Sequence, residues 1–100
     1  MSFTDLSTPE KIVVRTHLES LYGAKAVEFR EWVMRQIREK PRPLHLDFSQ
    51  TSYLDSLSIG GLLELYKTLK LMKCQIIIDD ASESVRELFL NLTLDKIFVM

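Results

Sequence analysis

Three short apolar runs alternate along this chain with three segments whose apolar residues recur at helical spacing, and that alternation restricts the fold more than any other feature. Residues 11–18 are rich in β-branched side chains and read as a strand, closing near Tyr22 and Gly23, where a turn fits. Across residues 24–40, Ala26, Phe29, Val33 and Ile37 share one apolar face with Trp32 at its flank, while Lys25, Glu28, Glu31, Arg35, Arg38 and Glu39 take the opposite side. Pro41 and Pro43 end that helix, because proline lacks an amide proton and restricts the residue before it. Leu44, Leu46 and Phe48 then alternate onto one face of a central strand, and the polar stretch 49–52 forms its exit loop. A second helix, from Ser56 to about Met72, carries Ile59, Leu62, Leu63, Tyr66 and Leu69, with Asp55 or Ser56 suited to cap its first turn. Residues 74–78 read as a buried strand stopped by Asp79 and Asp80. Ser82 or Ser84 caps a third helix bearing Val85, Leu88, Phe89 and Leu92. Residues 3–6 suit an edge strand, and residues 97–99 a last short one.

The order strand, helix, strand, helix, strand, helix implies an α/β fold whose crossovers make part of one sheet parallel. The expectation is a four- to five-stranded mixed sheet covered by three to four helices, in a single domain spanning residues 1–100. One hundred residues suffice for one hydrophobic core and leave little for a second. The 13 basic and 14 acidic residues are spread along the chain and nearly cancel, so neither nucleic acid nor an anionic membrane would be held by bulk charge. No window reaches the roughly 18 apolar residues of a membrane span. The lone Cys74 and the absence of a signal-like start favour a reducing, cytoplasmic setting.

Classical catalytic patterns find little purchase. Residues 56–60 imitate a nucleophile elbow without its first glycine, and His17 and His45 both precede the serine, against a hydrolase. Neither histidine has a second ligand at metal spacing, so each reads as a half-exposed strand residue. Cys74 has no activating neighbour and reads as a buried, inert thiol. No glycine-rich phosphate loop is present. The expectation is a non-enzymatic protein with no cofactor and no metal.

The loop from the central strand into the second helix carries the strongest functional signal. In open α/β sheets the useful surface lies at the carboxyl ends of the strands, where loops lead into helix starts. The Ser56 hydroxyl should be exposed there beside partial positive charge, where an added phosphate would leave the fold intact. A new charge of about −1.5 to −2 would disturb a partner contact, which suits a binding switch. Asp55 and Ser56 are equally ordinary helix caps, and capping and modification can coexist at one helix start. Ser58 is a fallback acceptor. Gly60 and Gly61 lower helix propensity by about 1 kcal/mol each. They project near the outward face with Glu64 and Thr68, as a flat docking patch, or else they permit tight packing on a neighbouring helix.

Residues 44–48 (Leu-His-Leu-Asp-Phe), 53–56 (Tyr-Leu-Asp-Ser), 59–63 (Ile-Gly-Gly-Leu-Leu) and Tyr66-Lys67 together resemble a STAS domain, the fold of bacterial anti-sigma factor antagonists. The likeness continues through residues 74–79 and 85–94. That resemblance implies a regulatory protein-binding module, with Ser56 as the serine phosphorylated by a partner anti-sigma factor or serine kinase of the histidine-kinase-like ATPase class. It implies a partner surface that includes Ser52, Tyr53, Asp55, Ser56, Leu57, Gly60, Gly61, Glu64 and Thr68. Leu57 and Ser58 replace the small residue and glycine usual after the serine, residues 19–22 keep only the leucine of a common turn, and Thr93 stands where glycine is common. These departures leave open an alternative: an unphosphorylated STAS subunit or scaffold of an ABC-type transport or signalling complex.

Overall fold

The computed structural model describes residues 3–17 and 19–100. Strict alternation places Ile12, Val14 and Thr16 of β2 (Ile12–Thr16) and Leu44, Leu46 and Phe48 of β4 (Leu44–Phe48) on one face, all of them fully buried. Their neighbours Val13, Arg15, His45 and Asp47 point the other way and stay partly exposed. β1 (Phe3–Asp5) pairs antiparallel with β2, which pairs parallel with β4, which pairs parallel with β6 (Ile76–Ala81). The sheet order is β1-β2-β4-β6. A separate two-residue parallel pair joins β3 (Ser20–Leu21) to β5 (Tyr53–Leu54).

The helices are α1 (Gly23–Glu39), α2 (Ser56–Leu71) and α3 (Glu83–Asn91), followed by a single 3-10 turn at Leu94–Lys96. α1 buries Ala26, Phe29, Val33, Met34 and Ile37, and α2, which packs beside it, buries Ser58, Gly61, Leu62, Leu65 and Leu69. All five phenylalanines run through the core as a chain of ring contacts: Phe3 to Phe29 at 5.9 Å, on to Phe48 at 6.5 Å, to Phe89 at 6.1 Å and to Phe98 at 5.7 Å. Truncating a fully buried leucine such as Leu65 to alanine typically costs about 2–5 kcal/mol, so α2 is anchored by its inner face whatever happens on its outer one.

Four expectations change. The first central strand ends at Thr16, with His17 beyond it; the expected end at Leu18 lies outside the described residues. The last parallel strand does not stop at Asp79 and Asp80 but runs through both to Ala81. A register shift leaves Asp79 unpaired between the Leu46–Ile78 and Asp47–Asp80 partners, so a bulge at the sheet edge turns the acidic side chains outward. Cys74 precedes that strand and is only partly buried, and Ile77 is partly exposed because one face of the sheet is covered. The expected final strand is reduced to one bridge, Ile77 to Val99, with Val99 N–H donating to Ile76 at 2.9 Å. Among the described residues no helix is long and apolar enough to cross a membrane.

Candidate functional site

Several polar groups of the loop leaving β4 hold its backbone in place. Asp47 accepts hydrogen bonds from the Ser49 amide at 2.9 Å and the Arg15 guanidinium at 3.0 Å. Burial alone would raise the Asp47 carboxyl, but the bonds from Ser49 and the charge and hydrogen bond of Arg15 prevail and hold it below its ordinary value. Thr51, fully buried, bonds hydroxyl to hydroxyl with buried Thr16 at 2.6 Å. Its carbonyl accepts from the Ser82 hydroxyl, whose oxygen in turn accepts from the Val85 amide at the start of α3. The loop is therefore tied to β2 on one side and to the α3 cap on the other.

Beyond Thr51 the chain zips onto residues 19–23. The amides of Ser52 and Tyr53 donate to the Glu19 carbonyl at 2.7 and 3.1 Å, and the Asp55 amide to the Leu21 carbonyl at 3.3 Å. Asp55 then caps two helices at once. One carboxylate oxygen accepts from the Ser58 amide and the Ser58 hydroxyl, both at 2.9 Å; the other accepts from the Gly23 amide at 3.0 Å, where α1 begins. Burial would raise the Asp55 carboxyl, yet these bonds outweigh it and lower the group. Gly23 has a φ of 55°, the left-handed region that glycine enters without strain, and this turn aims its amide at Asp55. The residues that hold the loop from outside, Glu19, Leu21 and Gly23, act mainly through backbone atoms. Only the glycine leaves a mark in the sequence.

Among the described residues the Ser56 hydroxyl makes no hydrogen bond and stands exposed on the first turn of α2. Tyr53 at 56% exposure and Leu57 at 55% flank it with apolar surface. Ser52 is exposed, its hydroxyl donating to Glu19 at 3.3 Å. Gly60 is open, with nothing near the position of an added Cβ. Glu64 is exposed, and Thr68 is half-buried, its hydroxyl donating to the Glu64 carbonyl at 3.1 Å. Two expected site residues are placed otherwise. Ser58 is 4% exposed, and its one hydroxyl proton is shared between the Leu21 carbonyl at 2.6 Å and the Asp55 carboxylate at 2.9 Å, so it is part of the frame. Gly61 does not face outward: it is buried, and a Cβ there would lie 3.3 Å from the Arg30 side chain. The two adjacent glycines thus divide the two readings offered for them, one open and one packed.

A groove of about 280 Å3 runs between α1 and α2, lined by Val27 and Arg30 on one side and by Ser56, Leu57, Gly60 and Glu64 on the other. Arg30 pairs with Glu64 at 3.1 Å across it. Val27 and Arg30 line this groove and were both missing from the expected surface, and Arg30 is the charged one. Its signal is an arginine standing between Ala26 and Met34 on the otherwise apolar stripe of α1.

The histidines are engaged elsewhere. His17 bonds Thr4 and, at 3.0 Å, Gln50, and His45 bonds Asp79 at 2.9 Å. Among the described residues no three His, Cys, Asp or Glu side chains gather where they could hold a metal ion.

The fold has known counterparts. The unphosphorylated form of the anti-sigma factor antagonist SpoIIAA superposes with a TM-score of 0.84 at 21% identity, covering 97% of this chain and 85% of that one. A Thermotoga maritima protein provisionally described as an anti-sigma factor antagonist superposes at 0.73 with 20% identity, covering 86% and 75%. At such identities the likeness is one of fold. No curated protein sequence matches the chain. The family model of the STAS domain matches residues 4–100, nearly the whole sequence, and the chain belongs to the STAS domain family.

Proposed function

We propose that this STAS domain is a non-enzymatic, cytoplasmic regulatory module that acts as an anti-sigma factor antagonist. It docks on an anti-sigma factor or serine kinase of the histidine-kinase-like ATPase class through the surface around Ser52, Tyr53, Asp55, Ser56, Leu57, Gly60, Glu64 and Thr68. Phosphorylation of Ser56 releases it. The observation that carries this reading is the contrast within one helical turn: Ser58 is sealed into the frame, whereas the Ser56 hydroxyl is exposed and makes no hydrogen bond among the described residues. A hydroxyl with no structural duty can be esterified without dismantling the loop. SpoIIAA, which shares the fold and is described in an unphosphorylated form, supports the same reading.

In the reaction, the Ser56 oxygen would take the terminal phosphoryl group of ATP bound to the kinase. ADP departs, and the hydroxyl proton passes to a base on the kinase. The test is incubation with ATP and purified anti-sigma factor kinases of that class, followed by intact-mass measurement and peptide mapping. A gain of one phosphate confined to Ser56 supports the switch. No gain, or phosphate elsewhere, rejects it.

A second reading has its own observation. Leu57 is exposed beside Ser56 and Tyr53, an apolar contact suited to constitutive docking in an ABC-type transport or signalling complex. An affinity capture separates the two, since a transporter ATPase and a histidine-kinase-like ATPase are different partners.

A further inference from the structure

Arg30 reaches across from α1 and lies along α2 because Gly61 has no side chain; a Cβ there would sit 3.3 Å from Arg30 Cδ and 3.5 Å from its Cβ. Its guanidinium ends on Glu64 at 3.1 Å, with Glu31 further off at 3.8 Å. The Arg30 side chain is 30% exposed and that of Glu64 59%, so solvent screens the pair in part and its contribution to stability is small. Ser56 lines the same groove. Measured along the axis of a helix rising about 1.5 Å per residue, Ser56 lies roughly 7.5 Å before Gly61, on the side away from Glu64. An arginine pivoting over Gly61 can therefore serve either end of the groove.

We propose that Arg30 is the internal receptor of the phosphate on Ser56. On phosphorylation its guanidinium leaves Glu64 and pairs with the phosphate oxygens. A phosphate of about −1.5 to −2 outbids a single carboxylate, and the planar fork of arginine matches two of its oxygens. The modification then does more than add charge. It draws the Arg30 side chain over the open Gly60 surface and releases Glu64 to solvent, so the partner loses the groove and meets an unpaired carboxylate. This inference rests on the reading of Ser56 as the acceptor.

The experiment avoids the kinase. Phosphoserine is incorporated at position 56 during synthesis, and its phosphorus resonance is titrated in the otherwise unaltered protein and in Arg30→Gln. With Arg30 alongside, the second ionisation, ordinarily near pH 6, should fall by about half a unit relative to Arg30→Gln. Glu64, in the same groove, and the neighbouring Asp55 act in the opposite direction, so Glu64→Gln should lower it further. Identical titrations in the unaltered protein and Arg30→Gln would overturn the proposal. An independent readout needs no substitution: the Arg30 Nε–H resonance should move when phosphoserine replaces Ser56, and an unmoved resonance overturns it equally. If kinases fail to modify Ser56 while these shifts appear, the switch reading falls and the Arg30 coupling stands; phosphorylation without the shifts gives the reverse.

Discussion

The loop at residues 49–55 and the first turn of α2 adjoin in sequence and differ in nearly every physical respect. In the loop, the Ser49 amide bonds back to Asp47 of β4, and Thr51, Ser52 and Asp55 are engaged in hydrogen bonds that run to β2, the α3 cap and residues 19–23. One residue later, Ser56 carries an exposed hydroxyl without a hydrogen bond among the described residues, followed by exposed Leu57 and, after a turn, open Gly60. A rigid frame presenting an uncommitted surface suits a switch. Chemistry at Ser56 can alter what a partner meets while the stability of the domain stays in the frame and in the buried leucines of α2.

That contrast should appear as a graded series of stabilities. Asp55→Ala removes an acceptor from two amides and a hydroxyl at two helix starts, and should destabilise the domain by about 2–3 kcal/mol in urea denaturation. The same carboxylate predicts an acid limb. Its pKa is lowered in the folded state, so its contribution is fully present above the ordinary carboxyl value of about 3.9 and is lost as the pH falls through the lower folded value. Asp55→Ala should flatten stability over that acidic range, leaving the dependence due to Asp47.

Gly23→Ala should destabilise by about 1–2 kcal/mol, because its Cβ has open space yet its φ of 55° is strained for any other residue. Thr93→Gly acts in the other direction. A β-branched residue at φ 57° closes α3, and glycine there should stabilise by up to about 1 kcal/mol after its greater unfolded freedom is discounted. Ser56→Ala should change stability by less than about 0.5 kcal/mol, since nothing in the frame depends on its hydroxyl. If Ser56→Ala proved as damaging as Asp55→Ala, the distinction between frame and surface would collapse.

The sequence makes some of this plain and hides the rest for identifiable reasons. Leu44, Leu46 and Phe48 at period two, and Ala26, Phe29, Val33 and Ile37 at helical period, announce β4 and α1 because one-sided burial writes itself into residue type. A cap at Asp55 or Ser56 was legible from residue type, and the bond from the Ser58 amide to the Asp55 carboxylate decides between them. The β3–β5 pair was not, since two-residue strands are held by backbone bonds that any side chain permits. Asp79 and Asp80 looked like a strand end because the bulge that lets them face solvent has no residue signature. Ser58 and Ser56 are the same residue type two positions apart. Their opposite fates depend on the Leu21 carbonyl, 37 residues away, which no local pattern discloses. Thr93, noted as a departure from a usual glycine, does occupy the conformation glycine favours.

The central claim is that the Ser56 surface switches a partner while the frame stays intact. It is tested most directly by titrating a purified anti-sigma factor kinase with the unaltered domain, Ser56→Ala and Ser56→Asp in a calorimeter, with urea midpoints measured in parallel. The expected result is unchanged affinity for Ser56→Ala and at least about tenfold weaker binding for Ser56→Asp, roughly 1.4 kcal/mol, with all three equally folded. A folded Ser56→Asp protein that binds as tightly as the unaltered domain would contradict it.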